Sequence, residues 1–143
     1  MKLYRIGSYF YRKNIPFLPK CINALIRFVH NSAVFSESQI GNNVTFAYGG
    51  IGVVIHKRCV IGDGCTIGSN VTIGGKSHSI GVPMIGKGCF ISTGAKILGD
   101  IKIGNNCVIG ANAVVITSVP NNCVVAGMPA KIIKQNINPK DYY

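Results

Sequence analysis

An aliphatic residue returns every six positions along most of this chain: Ile55, Ile61, Ile67, Ile73, Ile85, Ile91, Ile97, Ile103, Ile109 and Val115, with only position 79 skipped. Four residues after each except Ile73 stands a second, mostly small side chain: Cys59, Cys65, Val71, Cys89, Ala95, Ile101, Cys107, Ala113 and Val119. A weaker series leads in through Val34, Ile40 and Phe46. Glycine usually follows the aliphatic residue, as in Ile61-Gly62, Ile67-Gly68, Ile85-Gly86 and Ile103-Gly104, where a turn can use its permissive backbone. Six fits neither the helical period of about 3.6 nor hairpin alternation, but three such units make one triangular coil of a parallel β-helix. Aliphatic and small residues then point inward, and coils stack about 4.8 Å apart. A glycine-rich β-sandwich with irregular strands is the competing reading, and a register that survives ten units argues against it.

Three motifs sharpen this expectation: Val71-Thr72-Ile73-Gly74-Gly75-Lys76, Gly94-Ala95-Lys96-Ile97-Leu98-Gly99 and Val125-Ala126-Gly127-Met128-Pro129-Ala130-Lys131. With the register from about Val34 to Lys134 they resemble the hexapeptide-repeat acyltransferases, and most of all the serine acetyltransferase-like enzymes of polysaccharide loci. The resemblance implies an all-β fold, a left-handed parallel β-helix; the left hand comes from it alone, since crossovers in general favour the right. It also implies a homotrimer. The chain divides into a basic segment at 1–32, the β-helix at 33–134 with a loop at 74–84, and a tail at 135–143. Its 143 residues leave room for about four to five coils, roughly 20 Å of prism.

Six cysteines raise the question of disulfides or metal, and their spacing answers against both. Cys59, Cys65, Cys89 and Cys107 take the inward small-residue place, where a thiol acts as a compact hydrophobe. Cys21 and Cys123 lie outside the repeats, and there is no CxxC. All six read as reduced, which implies a cytosolic location.

The charge is lopsided, with fifteen Lys and Arg against four Asp and Glu, so partners should be anionic. Nucleic acid is a poor match because the repeats offer scattered lysines and almost no aromatics for stacking. Residues 1–32 carry Lys2, Arg5, Arg12, Lys13, Lys20 and Arg27 with no acid, among many aromatic and aliphatic residues. They read as two short helices separated by Pro16 and Pro19, too short to span a bilayer. One role is a cap on the open end of the prism. The other is an interfacial helix that contacts anionic membrane peripherally, and the two are compatible.

The one interruption of the repeat, Gly74 to Met84, extrudes about six extra residues as a loop, the usual place for active groups on a rigid scaffold. His78 lies in it, and the resemblance matches it to the loop histidine that serves as general base in galactoside-type members. His56, one coil beneath the loop's base, is the rival; a corner residue is its plainer reading. The resemblance also exposes a departure. Where serine acetyltransferases have an Asp-His pair after the strand matching Phe46, this chain has Ala47-Tyr48, with Ala33 one coil earlier where a further aspartate stands, and no large helical domain precedes the repeats.

For the donor, the resemblance implies acetyl-coenzyme A in a groove between neighbouring prisms. Gly94, Ala95, Gly110 and Ala111 would permit close approach of the pantetheine arm, and Thr93, Ala111 and Thr117 match cofactor-contact places. Lys131 and Lys134 match the basic residues that meet the nucleotide phosphates. The reading is an acetyl-coenzyme A-dependent O-acetyltransferase on a sugar hydroxyl, free or lipid-linked, in surface-polysaccharide assembly, requiring no metal. Alternatives are a serine O-acetyltransferase-like activity on a small hydroxyl acceptor, a γ-carbonic anhydrase-like zinc hydratase and a non-catalytic β-helix protein. His30, His56 and His78 lack the clustered spacing that a three-histidine zinc site needs.

Overall fold

The six-residue register folds into stacked triangular coils in a computed structural model that describes residues 1–142. Short strands fall on three faces. The first face holds Ala33–Val34, Val54–Ile55, Thr72–Gly74, Lys96–Leu98 and Val114–Val115. The second holds Gln39–Ile40, Val60–Ile61, Met84–Ile85 and Lys102–Ile103. The third holds Thr45–Phe46, Thr66–Ile67, Phe90–Ile91, Val108–Ile109 and Val124–Gly127, the last turning back into antiparallel Ala130–Lys134. Apart from that hairpin, strand pairing is parallel and in register, so Ile55 stacks on Ile73 and Ile73 on Ile97. These isoleucines have no exposed surface, and each contributes about 1.5–3 kcal/mol relative to an exposed one.

The glycines after Ile61, Ile67, Ile85 and Ile103 are there for space, not for their dihedral freedom. A Cβ on Gly62 would sit 2.7 Å from the backbone of Gly86 and Lys87, and one on Gly68 would sit 2.5 Å from the Thr93 nitrogen. The left-handed backbone falls two residues later, at Gly64, Gly88 and Gly94 or at Asn43, Asn70, Asn106, Asn112 and Asn122. Asparagine serves because its short polar side chain tolerates that region.

The corners form three edges. The loop edge joins the first face to the second, the cysteine edge the second to the third, and the groove edge the third back to the first. Regular coils repeat every 18 residues, as Ile85 pairs with Ile103. The extruded loop leaves after Gly74 on the loop edge. A second insertion, on the groove edge, is a 3-10 turn at Ala47–Gly50. It makes Ile40 pair with Ile61, 21 residues on. In the hexad count it shows only as a step of nine from Phe46 to Ile55, because Val34, Ile40 and Phe46 keep their spacing among themselves.

Two helices, α1 (Lys2–Arg12) and α2 (Phe17–His30), close the N-terminal end. The Tyr4 hydroxyl donates to the Ser38 carbonyl at 2.6 Å and accepts from the Ile40 amide at 3.2 Å. Asn23 Oδ1 accepts from the Ser36 amide, and Ile26 is wholly buried. Pro16 caps α2, whereas Pro19 falls inside its first turn rather than between the helices. Its missing N–H is one of the donors that have no intrahelical partner there. The outward face is apolar: Phe28 is 89% exposed and Phe17 73%. No helix among the described residues is long and apolar enough to cross a membrane.

Candidate active site

The loop edge carries both candidate bases. His56 follows Val54–Ile55 directly, its amide donating to the Ile73 carbonyl at 2.9 Å, one coil beneath the root of the loop. Its Nδ1 accepts the Arg58 amide at 3.2 Å. That lone pair is therefore engaged, which leaves the proton of the neutral ring on Nε2. Desolvation, and then the charges of Arg58 and Lys57, hold its pKa below the ordinary histidine value.

His78 stands at the tip of the loop with left-handed backbone (φ 64°) and an exposed side chain. Its imidazole makes no hydrogen bond among the described residues. The loop itself is tied down. Ser79 closes a turn on the Lys76 carbonyl at 3.1 Å, the Gly99 amide reaches the Gly74 carbonyl at 3.0 Å, and Arg58 Nη2 donates to the Ile80 carbonyl at 2.6 Å. Gly81 packs on the Asp100 side chain. Thr117 belongs to this same edge, just past Val114–Val115.

The groove edge carries a hollow of about 410 Å³ lined by Ala47, Tyr48, Thr66, Gly68, Phe90, Ser92, Thr93 and Ala111. Thr93 and Ala111 thus share one groove, with Gly94 beside them. Gly94 has its own structural reason, a φ of 77° under the side chain of Asn112. Tyr48 is 78% exposed with φ 52°, an unusual conformation for a bulky residue, held on the inserted turn. The Ala47-Tyr48 departure therefore opens on the groove itself. Thr66, Phe90 and Ser92 also line it; their outward or corner places in the hexad were the available signal.

Lys131 and Lys134 lie exposed on the closing hairpin. Lys131 pairs with Ala126, against which Gly110 packs, so it stands at the C-terminal end of the groove. Lys134 Nζ lies 5.8 Å from the Tyr142 ring centroid. The cysteines prove more ordered than their spacing foretold. Cys65, Cys89, Cys107 and also Cys123 stack on the cysteine edge, where Cys65 donates to the Gly86 carbonyl and Cys89 to the Gly104 carbonyl, both at 3.1 Å. None of the six is in a disulfide.

The candidate residues thus fall into two sets on different edges of one prism. Thr93, Gly94, Ala111 and Lys131 follow the groove edge; His56, His78 and Thr117 follow the loop edge. Within one chain the first face lies between the sets.

Two family models match the repeats: bacterial transferase hexapeptide (six repeats) over residues 83–117, and hexapeptide repeat of succinyl-transferase over 60–98. Serine acetyltransferase of Staphylococcus xylosus is 41% identical over 133 residues, covering 92% of this chain and 61% of that protein. That of Synechococcus elongatus is 32% identical over 144 residues, covering 97% and 59%. The solved serine acetyltransferase of Brucella abortus in complex with coenzyme A superposes with a TM-score of 0.88 at 30% identity, over 94% of this chain and 54% of that one. The chain therefore spans little more than half the length of the proteins it matches. Its architecture is the left-handed β-helix that the motifs implied.

Proposed function

Because the chain belongs to the hexapeptide-repeat transferases, close to the serine acetyltransferases, we propose that it transfers the acetyl group of acetyl-coenzyme A to a small hydroxyl acceptor. The observation that carries this reading is the groove. Gly68, Thr93 and Ala111 line it with small side chains, Thr93 and Ala111 exposed, as the close approach of a narrow pantetheine amide chain requires, and Lys131 at its end suits nucleotide phosphates. The solved relative named as a complex with coenzyme A supports the same ligand.

His78 acts as general base in this proposal, because its imidazole is unengaged whereas the Nδ1 lone pair of His56 is taken. It accepts the hydroxyl proton as that oxygen attacks the thioester carbonyl, and groove N–H groups hold the oxyanion. The imidazolium then returns the proton to the departing thiolate. Since loop and groove lie on different edges, the loop edge of one copy serves the groove edge of the next, in a homotrimer. Mixing a His78→Ala chain with an Ala111→Trp chain tests this. Both are inactive alone, and activity recovered on mixing requires a site shared between copies.

The relatives' names favour serine as acceptor over the sugar hydroxyl expected from the motifs. One observation favours a sugar, free or lipid-linked, as the second reading: Ala47 and Tyr48 line the groove where the resemblance puts an Asp-His pair. A methyl group and a phenol do not reproduce that pair's proton chemistry. Labelled acetyl-coenzyme A with serine, nucleotide sugars and lipid-linked sugars, read by mass shift, decides between the two. The exposed apolar face of α2 and the basic residues of 1–32 support peripheral contact with anionic membrane.

A further inference from the structure

Between the last turn of α1 and the first two coils lies a cleft that acetyl transfer does not use. Two adjoining hollows of about 380 and 460 Å³ share Tyr11, Glu37 and Gln39 as walls. Arg12 lines one, and Lys57 and Arg58 line the other. Each is large enough for a small organic ligand. Three cations and one carboxylate converge here, and the carboxylate does not neutralise them. Glu37 accepts from Asn23 Nδ2 at 3.2 Å, and among the described residues the ion pair within bonding range is Lys87 with Asp63, on the cysteine edge. Arg58 spends one N–H on the Ile80 carbonyl, which fixes its guanidinium at the cleft and leaves its other donors to spare.

We propose that this cleft binds a phosphate-bearing ligand, with Arg12, Lys57 and Arg58 meeting the phosphate oxygens. Unpaired cations in a concavity concentrate positive potential, and a guanidinium fork beside an ammonium suits a phosphate or diphosphate group. The hollows exceed what one phosphate fills, so the group is borne on something larger, from either a soluble molecule or a lipid headgroup. Arg58 also ties the cleft to the loop two residues beyond His78. A ligand anchored there would stand beside the proposed base, a placement that rests on the acetyl-transfer reading; the anion site itself does not.

Calorimetry on the full chain with pyrophosphate is the test, since it reads binding whether or not the chain is an enzyme. The double variant Arg12→Gln/Lys57→Gln, at two side chains that make no hydrogen bond among the described residues, should weaken binding about tenfold or more, and Glu37→Gln should strengthen it. Coenzyme A affinity should stay unchanged in all three proteins. Absence of pyrophosphate binding in the natural chain overturns the proposal. So does a folded double variant of full affinity, or one-for-one displacement of pyrophosphate by coenzyme A. With the site upheld, vesicles of phosphatidylglycerol identify its source. Release of bound chain by pyrophosphate assigns the site to a headgroup, and retention assigns it to a soluble ligand.

Discussion

At the cysteine edge, successive coils turn in the same way. Gly62, Gly86 and Gly104 let backbone lie against backbone, and Cys65, Cys89, Cys107 and Cys123 fill the space inside. At the loop edge no two corners are alike: His56-Lys57-Arg58, then the extruded loop, then Gly99-Asp100, then Ile116-Thr117-Ser118. Where each coil rests on an identical one, every side chain is fixed from above and below and has no freedom for chemistry. The Cys89 thiol, enclosed between those of Cys107 and Cys65, is pushed above the ordinary cysteine value by them and by burial. Where the corner sequence changes, side chains gain room, and the imidazoles and free guanidinium donors gather there.

That contrast breaks first, and most sharply, at His78. His78→Ala should lower kcat by about two to four orders of magnitude with coenzyme A affinity and thermal midpoint unchanged, since the loop tip supports no packing. His56→Ala should retain turnover. The opposite pair of results would move the base to His56, and the pH profile would then say so independently. A base of depressed pKa stays unprotonated further into acid, so the acid limb of kcat/KM would lie below about 6.5.

The mirror experiment belongs to the cysteine edge. Gly62→Val places a side chain against the backbone of Gly86 and Lys87, and should cost about 3 kcal/mol in denaturant unfolding. Gly75→Ala, in the loop, adds a Cβ that would lie 3.8 Å from its nearest neighbours, and should leave stability within about 0.5 kcal/mol. Equal losses at both sites would mean that the loop is as tightly built as the coils.

The same contrast governs what can be read from the sequence. The hexad repeats because identical coils demand identical residues, so the three faces, the inward isoleucines and the cysteine positions are all visible as a period. What a glycine is for is less visible: Gly62 and Gly64 look alike in sequence, yet one yields space and the other supplies a left-handed φ. Departures from the period are legible as breaks in the count. The loop leaves one place, position 79, without its aliphatic residue, and the Ala47–Gly50 turn makes the step from Phe46 to Ile55 nine residues, a shift that the weak upstream series obscures. The cleft was not legible at all, because Arg12 and Lys57 are distant in sequence and meet only once α1 folds over the first coils.

A smaller effect is expected at the groove's far end. Changing Lys131 and Lys134 to alanine should weaken coenzyme A binding by about 1–3 kcal/mol, the loss shrinking as salt rises. Lys131→Ala should carry the larger share, because Lys134 already lies near the Tyr142 ring. Calorimetry with coenzyme A and dephospho-coenzyme A separates the phosphates. Unchanged affinity in the double variant would move them away from the hairpin and leave the groove without its proposed anchor.

The smallest expected effect on stability extends the comparison to the N-terminal helices, which present a fixed side and an unoccupied one. Tyr4 and Ile26 are held by the first coil, whereas Phe17 and Phe28 are largely exposed. Replacing both phenylalanines by serine removes no native contact of weight, so unfolding free energy should change by no more than about 0.5 kcal/mol. If that face exists to lie in headgroups, the same variant should float far less with anionic vesicles, and added salt should release the natural chain. Coils that need no further partner predict stability loss without functional gain on mutation; an unoccupied face predicts the reverse. A Phe17→Ser/Phe28→Ser chain that floats as well as the natural one would therefore remove the membrane from the picture. One that unfolds much more easily would show that the exposed side is covered by another copy of the chain.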